Sequence, residues 1–293
     1  MEHPKDTIIL TAVDSPNGIR AVDTLAKSLK TFGGAFGPAP IFIYSTLPGV
    51  DGNAIPCFLP EPFRNYPFAL KVYAASHIEE YLGHKPDRIV WLDPSAIVLK
   101  PPDLLNFPND CGIALRPVHI RNVGNPFGGA LDGYWKYIYA KLGIDPDSLA
   151  PVRTLVDRQA VYPYFNCGLY AADPKSLPLK LWWELFKDSI EDRDFQNSAC
   201  AGFDKKLFLH QAIFSALVSK YIPMERLYAL PREYGYPLHF HKRLSSLRDE
   251  SRMDDVAVLL GYDEDISREE KLEIFDSCPP GMRSWLLENG DML

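Results

Sequence analysis

The chain has 293 residues, 46% of them hydrophobic and 24% charged, with a formal net charge of −7. This composition is typical of a globular protein and supplies enough apolar material for one large domain or two small ones. The acidic balance makes nucleic acid a poor main partner, because phosphate binding requires a basic face. The five cysteines form no closely spaced pairs, which argues against a disulfide framework or a structural zinc site.

The N-terminal segment lacks the layout of a secretory signal peptide. No stretch approaches the roughly 20 consecutive apolar residues of a membrane span. We therefore expect a cytoplasmic protein without a membrane span.

The N-terminal part of the chain predicts a strand–helix–strand unit. Residues 7–13 form a continuous apolar and β-branched run, which is typical of a strand buried on both faces. Apolar residues then recur at helical spacing over 19–32, and residues 41–45 indicate a second buried strand. Such a unit is characteristic of a mostly parallel sheet.

The pattern continues with alternating helices and strands. A helix is predicted over 67–82, followed by strands over 88–93, 96–99 and 112–117. The elements predicted further along the chain are helix 134–143, strand 164–173, helices 177–190 and 204–221, and short strands 226–231 and 237–241.

These elements predict an open, largely parallel α/β sheet. Ligands of such sheets bind at the carboxyl ends of the strands. Asp14, Asp93 and His239 all lie at or near predicted strand ends, so we expect them to converge there. After about residue 244 the chain reads as mostly charged helix, which we expect to pack on the outside of the domain.

Six short segments, in this order, carry a resemblance to a known family: TIILTAVDS, FALKVYAA, RIVWLDPSAIVLKPP, YFNCGLYAAD, LHQAIFSALV and LPREYGYPLHFH. The chain resembles the nucleotide-sugar glycosyltransferases of the GT-A fold, and in particular the retaining glycogenin-like and galactosyltransferase group called family 8. The resemblance covers about residues 7–241. It implies a mostly parallel mixed sheet flanked by helices, with a nucleotide-sugar-binding domain over 1–243. The resemblance does not cover the tail, where the charged helical pattern predicts a helical extension over 244–293.

The family's Asp-x-Asp motif corresponds to Asp93-Pro94-Ser95. In the family this motif holds a divalent cation, which neutralises the diphosphate as a Lewis acid. The first carboxylate is kept here, whereas the second is replaced by the hydroxyl of Ser95. The resemblance thus implies that Asp93 contacts the metal or the ribose and that Ser95 contributes a weaker polar contact.

A histidine near the end of the domain is the family's third metal ligand, and His239 matches it. The resemblance therefore implies a Mn²⁺ or Mg²⁺ site formed by Asp93 and His239, although the loss at Ser95 predicts weak metal dependence. The family's diphosphate-neutralising lysine is missing from its usual place, where Lys242 or Arg243 could substitute with a different geometry.

Other positions match the donor-binding residues of the family. Asn166 and Gln211 correspond to the side chains that border the sugar and the anomeric carbon, and we expect a catalytic role for both. The family's aspartate before that glutamine is His210 here. The remaining matches, to nucleotide-sugar-binding positions, are Thr11, Ala12, Asp14 and Lys71.

Each of these residues also has a purely structural interpretation. Asp93 could cap a turn before Pro94, and His239 could be an ordinary exposed or structural histidine. Lys71 could be a solvated helix residue, while Asn166 and Gln211 could be core polar groups with satisfied hydrogen bonds.

The resemblance implies a hexosyltransferase-type enzyme that moves a sugar, with retention, from a UDP-sugar to an acceptor hydroxyl. Residues 117–135, which include His119, Arg121, Asn122 and Trp135, could form the acceptor side. Two alternatives remain open. One is a non-catalytic or degenerate nucleotide-sugar binder, favoured by the losses at Ser95 and His210. The other is a nucleotidyltransferase, for which residues 14–20 provide only a weak glycine-rich signature.

Overall fold

The computed structural model describes residues 6–50, 52–241, 253–261 and 266–289. Lys242 and Arg243, which the resemblance offered as diphosphate ligands, lie outside these described residues. Among the helices that the structure describes, none combines the length and apolar character needed to cross a bilayer.

Twelve β-strands are present in the described residues. In chain order they are β1 Thr7–Val13, β2 Ile41–Ser45, β3 Asn53–Pro56, β4 Arg88–Leu92, β5 Ala96–Val98, β6 Ile113–Pro117, β7 Val152–Arg153, β8 Ala160–Val161, β9 Phe165–Ala172, β10 Leu227–Ala229, β11 Tyr234–Pro237 and β12 Val258–Leu260.

The α-helices lie mainly between these strands. In the described residues they are α1 Pro16–Phe32, α2 Ala69–Leu82, α3 Gly133–Leu142, α4 Leu179–Glu191, α5 Arg193–Asn197, α6 Phe203–Leu207, α7 Leu209–Tyr221, α8 Arg268–Asp276 and α9 Pro280–Asn289.

Local capping explains where α1 begins and where α2 ends. Ser15 accepts a hydrogen bond from the backbone N–H of Gly18, and Pro16 occupies the first helical position of α1. At the C-terminal end of α2, Gly83 adopts a φ of 73°, a left-handed conformation that glycine enters without steric cost.

A seven-stranded mixed sheet forms the centre of the molecule, in the order β10-β6-β9-β4-β1-β2-β3. Strands β4, β1, β2 and β3 run parallel to one another, and β10 runs parallel to β6. Strand β9 is antiparallel to both β4 and β6, so the carboxyl ends of β4 and β6 flank the start of β9. The predicted α/β architecture with a mostly parallel mixed sheet is confirmed.

The two faces of this sheet pack against different layers. One face carries Ile8, Leu10 and Trp91 and is covered by the larger core, which includes residues of α2, α4 and α7. The other carries Ile9 and Val90 and packs against α1 and β5. Because side chains alternate along a strand, Asp93 lies on the same face as Trp91 and is directed toward the α2 side.

Two predictions about local structure are wrong. Residues 237–241 were expected to form a strand, but β11 ends at Pro237, which lacks an N–H donor, and Leu238–Phe240 form a 3₁₀ turn. The helix predicted over 204–221 is divided at Phe208, where α6 ends and α7 begins. This break places His210 and Gln211 in the first turn of α7.

The region beyond residue 244 contains more than charged helix. Its strand β12 pairs in parallel with β11 and antiparallel with β5, which gives a second sheet of three strands. Helices α8 and α9 contribute Ile274 and Leu286 to a separate hydrophobic cluster beside that sheet. The division of the chain into domains at residues 243 and 244 stays a prediction.

Candidate active site

A buried ion pair lies at the carboxyl end of β4. The Nζ atom of Lys71, from α2, is 2.7 Å from Oδ1 of Asp93, and their side chains are only 5% and 11% exposed. The indole Nε1–H of Trp91 donates to the same oxygen at 2.7 Å. The alternative interpretation of Lys71 as a solvated helix residue is therefore wrong. Within the described part of the chain, Oδ2 of Asp93 accepts no hydrogen bond and remains available to a ligand.

Two aromatic rings flank the ammonium group of Lys71. Its Nζ atom lies 5.1 Å from the ring centroid of Trp91 and 5.8 Å from that of Phe68. Phe68 precedes α2 with φ 60° and ψ 14°, a left-handed backbone conformation that costs a bulky L-residue roughly 1–3 kcal/mol. Nevertheless, 41% of its surface is exposed.

The first turn of α7 closes this side of the site. The imidazole of His210 stacks on Phe68 with ring centroids 4.1 Å apart, and its Nδ1 lies 2.9 Å from the carbonyl oxygen of Leu207. Burial, together with the positive charge of Lys71, holds the pKa of His210 well below its usual range. His210 is therefore neutral at physiological pH, and the carbonyl contact places its proton on Nδ1.

Gln211, one residue further along α7, is oriented by β9. Its Oε1 accepts from the backbone N–H of Cys167 at 3.4 Å and from the Cys167 thiol at 3.7 Å. Burial raises the pKa of Cys167 to about 12, so this cysteine is a thiol rather than a nucleophilic thiolate. Cys167 thus acts as a small buried residue that positions Gln211.

Asn166 is tied to the same backbone. Its Oδ1 accepts from the N–H of Gly168 at 2.9 Å, and the carbonyl of Gly168 accepts from the N–H of Asp93 at 2.9 Å. The start of β9 therefore connects Asn166 with Asp93. Across the neighbouring strand pair, Asn166 lies opposite Arg116 of β6.

Arg116 is the centre of a second cluster at this edge of the sheet. It is fully buried and donates to the carbonyl oxygen of Gly235 and toward the ring of His119, with N···N distances of 3.0 and 2.9 Å. A neutral imidazole has a single acceptor nitrogen, so one of these two contacts is a hydrogen bond. Burial, followed by the charges of Arg116 and His239, holds the pKa of His119 well below its usual range.

His239 belongs to this second cluster. Its ring centroid lies 6.4 Å from that of His119 and 4.1 Å from that of Phe240. No contact between His239 and Asp93 occurs among the described residues, so the two expected metal ligands fall in different clusters.

The other predicted nucleotide-binding residues lie at neighbouring strand ends. Asp14 follows β1 and is exposed, Ala12 is partly buried, and Ser95 is partly buried in the turn after Asp93. Thr11 is fully buried, and its hydroxyl makes no hydrogen bond within the described residues. The role of Thr11 in nucleotide binding stays a prediction, because the residue lies inside the β1–β2 ladder.

The loop expected to serve the acceptor side is partly structural. Trp135 is buried, packs on Tyr139 and Tyr164, and donates from Nε1 to the carbonyl oxygen of Val123. It is therefore a core residue rather than a surface for a sugar. Arg121 donates its backbone N–H to Asp157, which anchors the loop.

The surroundings of Asp93 bear on the predicted metal site. Oδ1 of Asp93 already accepts two hydrogen bonds. In the parts of the chain that the structure describes, no three His, Cys, Asp or Glu side chains gather closely enough to hold a metal ion. The Asp93–His239 site for Mn²⁺ or Mg²⁺ stays a prediction, and no step proposed below depends on it.

The structure thus brings together four of the predicted residues, Lys71, Asp93, Asn166 and Gln211, and links them through Gly168 and Cys167. Sequence reasoning missed Trp91, although its place two residues before Asp93 on one strand puts both on the same face. It also missed Phe68 and Arg116. Nothing local in the sequence marks a left-handed phenylalanine.

Comparison with known proteins concerns the fold and the family of the chain. No curated protein matches the chain. Three similar solved structures are LgtC, described as a galactosyltransferase in complex with donor and acceptor sugar analogs (16% identity, 96% of this chain and 95% of that chain, TM-score 0.49), an active-site mutant of LgtC (16%, 96% and 94%, 0.52), and the glycosyltransferase GlyE of Streptococcus pneumoniae TIGR4 (14%, 98% and 64%, 0.51). At these identities, the two structures with TM-scores above 0.5 show a shared fold and nothing more.

The expected GT-A fold is thereby confirmed. The family is identified from the sequence. Residues 25–220 match the model of the Rhodobacterales glycosyltransferase domain, and they make up more than half of the 293-residue chain. The chain therefore belongs to the Rhodobacterales glycosyltransferase domain family.

Proposed function

We propose that this glycosyltransferase moves a hexose from a UDP-sugar to an acceptor hydroxyl, with retention at the anomeric carbon. The observation that carries the proposal is the buried Lys71–Asp93 pair at the carboxyl end of β4, where open α/β sheets bind their ligands. Most buried charges serve structure alone. Here Oδ2 of Asp93 is left available at that sheet edge, which supports contact with a polar ligand such as a ribose hydroxyl.

The chemistry requires stabilisation of a departing diphosphate. The bond between the anomeric carbon and the diphosphate oxygen breaks, and its electron pair leaves with the UDP. The acceptor oxygen forms the new bond to the anomeric carbon and passes its proton to the departing diphosphate. Lys71 has three N–H donors, of which Asp93 uses one, so its ammonium can also donate to the donor substrate.

Asn166 and Gln211 would position the sugar. Both side chains have one oxygen fixed by backbone N–H groups of β9, namely those of Gly168 and Cys167. Side chains held in this way lose little entropy when a substrate binds, and such preorganisation is what accelerates transfer.

The test separates the enzyme from a degenerate binder. UDP and a panel of UDP-hexoses are titrated calorimetrically, and release of free UDP is then followed with EDTA and with Mn²⁺. We expect UDP binding, slow donor hydrolysis under both conditions, and loss of hydrolysis in Asp93→Asn. The matched control is Asp87→Asn, which removes an exposed carboxylate just before β4. In the wild type, Oδ1 of Asp87 is 3.6 Å from Nζ of Lys175.

Each outcome decides between the two functions. UDP binding without hydrolysis or transfer under either condition would favour the non-catalytic binder. If the chain binds neither UDP nor a UDP-hexose, the proposed donor is wrong.

A further inference from the structure

Phe68 combines a strained backbone with an exposed aromatic ring. Its φ of 60° lies in the left-handed region, where a bulky side chain is a genuine outlier. Glycine would adopt this conformation without strain. Strained residues of this kind cluster at ligand clamps and active sites, which makes a phenylalanine at this position informative.

Core packing does not account for this ring. Phe68 is 41% exposed and belongs to none of the hydrophobic clusters formed by the described residues. His210 covers one face of the ring, with an interplanar angle of 28°. The apolar surface that remains faces solvent and contributes little to folding.

A cation and a neutral hydrogen-bond acceptor surround the ring. The ammonium of Lys71, which is 2.7 Å from Asp93 Oδ1, lies 5.8 Å from the centre of the Phe68 ring. His210 stacks on Phe68 and has its Nδ1 at a backbone carbonyl, so Nε2 is the acceptor nitrogen. A hexose has an apolar C–H face and an edge of hydroxyls. An aromatic ring, a neutral acceptor and a cation complement these two features.

We propose that Phe68 is a specificity-determining residue whose exposed ring packs against the C–H face of the transferred sugar, while Nε2 of His210 accepts a hydroxyl of the same sugar. This proposal rests on the proposed function, because it requires a nucleotide-sugar donor at Asp93. It assigns the sugar, rather than the nucleotide or the acceptor, to the Phe68–His210 pair.

The experiment compares the affinities for UDP and for UDP-hexoses. Calorimetric titrations with UDP and a panel of UDP-hexoses are performed on the wild type, Phe68→Gly and Phe68→Tyr. For the tightest-binding UDP-hexose we expect Phe68→Gly to lose at least tenfold in affinity, with the affinity for UDP changed by less than twofold. Phe68→Tyr keeps the ring and should retain both affinities. Tyr81→Ala removes another exposed aromatic ring from the far end of α2 and is the matched control.

Thermal unfolding separates a ligand role from a structural one. Phe68→Gly should melt at the same temperature as the wild type or higher, because glycine relieves the strain. A clearly lower melting temperature with unchanged affinity for UDP-hexose would overturn the proposal. Equal losses of affinity for UDP and for UDP-hexose would overturn it as well.

Failure of this proposal is distinguishable from failure of the proposed function. If the wild type binds neither UDP nor any UDP-hexose, both fail. If it binds them and Phe68→Gly binds them equally well, or if no UDP-hexose binds more tightly than UDP, the role of Phe68 alone is wrong.

Discussion

Two cationic side chains lie at the same edge of the central sheet, and their environments differ. Lys71 contacts a carboxylate, and both partners retain slight exposure. Arg116 is fully buried, and its neighbours include the carbonyl of Gly235 and the neutral ring of His119. Lys71 thus lies where a ligand can reach its partner, whereas Arg116 holds together the backbone that carries His239.

This difference separates two ways in which a charge serves a site. The Lys71–Asp93 pair provides a cation and a free carboxylate oxygen at the place where a donor would bind. Arg116 connects β6, the turn at His119 and the residues around Gly235, so it fixes the shape of the site from behind. Substitution of Lys71 or Asp93 should affect chemistry most. Substitution of Arg116 should affect stability and the position of His239.

Lys71→Met should have the largest effect. Asp93 would remain buried without its counter-charge, which lowers the free energy of unfolding by about 3 kcal/mol. Donor hydrolysis should fall at least a hundredfold, because the departing diphosphate loses its cation. Urea unfolding and UDP-release assays measure the two effects.

Two further variants sharpen this result. Lys71→Met combined with Asp93→Asn leaves no unpaired charge and keeps an acceptor for Trp91, so stability should partly return while activity stays lost. Lys85→Met removes an exposed lysine, 3.4 Å from Glu79, and should change stability by less than about 1 kcal/mol. Full activity in Lys71→Met would contradict the proposed role.

Arg116→Met should be the next most damaging change. The carbonyl of Gly235 and the ring of His119 would lose a buried donor, which costs about 2 kcal/mol of unfolding free energy. We expect a lower kcat without loss of UDP affinity, because UDP is proposed to bind on the Lys71–Asp93 side. The control is Arg20→Met, which removes an exposed arginine that contacts Asn17. An Arg116→Met protein as stable as the wild type would contradict the structural role assigned to Arg116.

The sequence predicted the first strands of the central sheet better than the segment that contains His239. Strands β1 and β2 have the predicted bounds, because continuous β-branched runs leave little choice when both faces are buried. The residues 237–241 were misassigned, because alternation over so few residues does not distinguish a strand from a turn after Pro237.

Side-chain partners were harder to predict than elements. The position of Lys71 was known from the sequence, but its burial against Asp93 depends on how α2 packs on the sheet. Arg116 follows an apolar run and resembles any strand-end arginine until β11 is placed beside it. Long-range packing of this kind is not encoded in local periodicity.

The buried histidines predict how stability depends on pH. Burial holds the pKa values of His210 and His119 below the unfolded value of about 6.5. The unfolded chain therefore binds more protons below pH 6.5, so this stability is present above that pH and is lost as the pH falls toward the folded pKa values. The loss is at most about 1.4 kcal/mol per pH unit for each histidine.

His210→Gln should make the acid loss shallower by about 1 kcal/mol per pH unit between pH 6.5 and 5. Urea midpoints at several pH values measure this slope. The control is His84→Gln. The hydrogen bond to Asp6 raises the pKa of His84, so removal of His84 cannot make the acid loss of stability shallower. An unchanged slope in His210→Gln would mean that folding does not lower the pKa of His210.

Ser95→Asp should have the smallest effect on stability and tests the predicted metal site. Ser95 is partly buried, and its backbone carbonyl accepts from Gly261, an interaction that the substitution leaves intact. We therefore expect the free energy of unfolding to change by no more than about 0.5 kcal/mol. The new carboxylate would lie two residues after Asp93 and add an anionic oxygen ligand, which raises affinity for Mn²⁺. Calorimetric titration with Mn²⁺ in the presence of UDP measures this change. Wild-type protein with a steep Mn²⁺ requirement at micromolar concentration would show that the phosphates and water complete a metal shell around Asp93. Lys71 would then assist that cation rather than replace it.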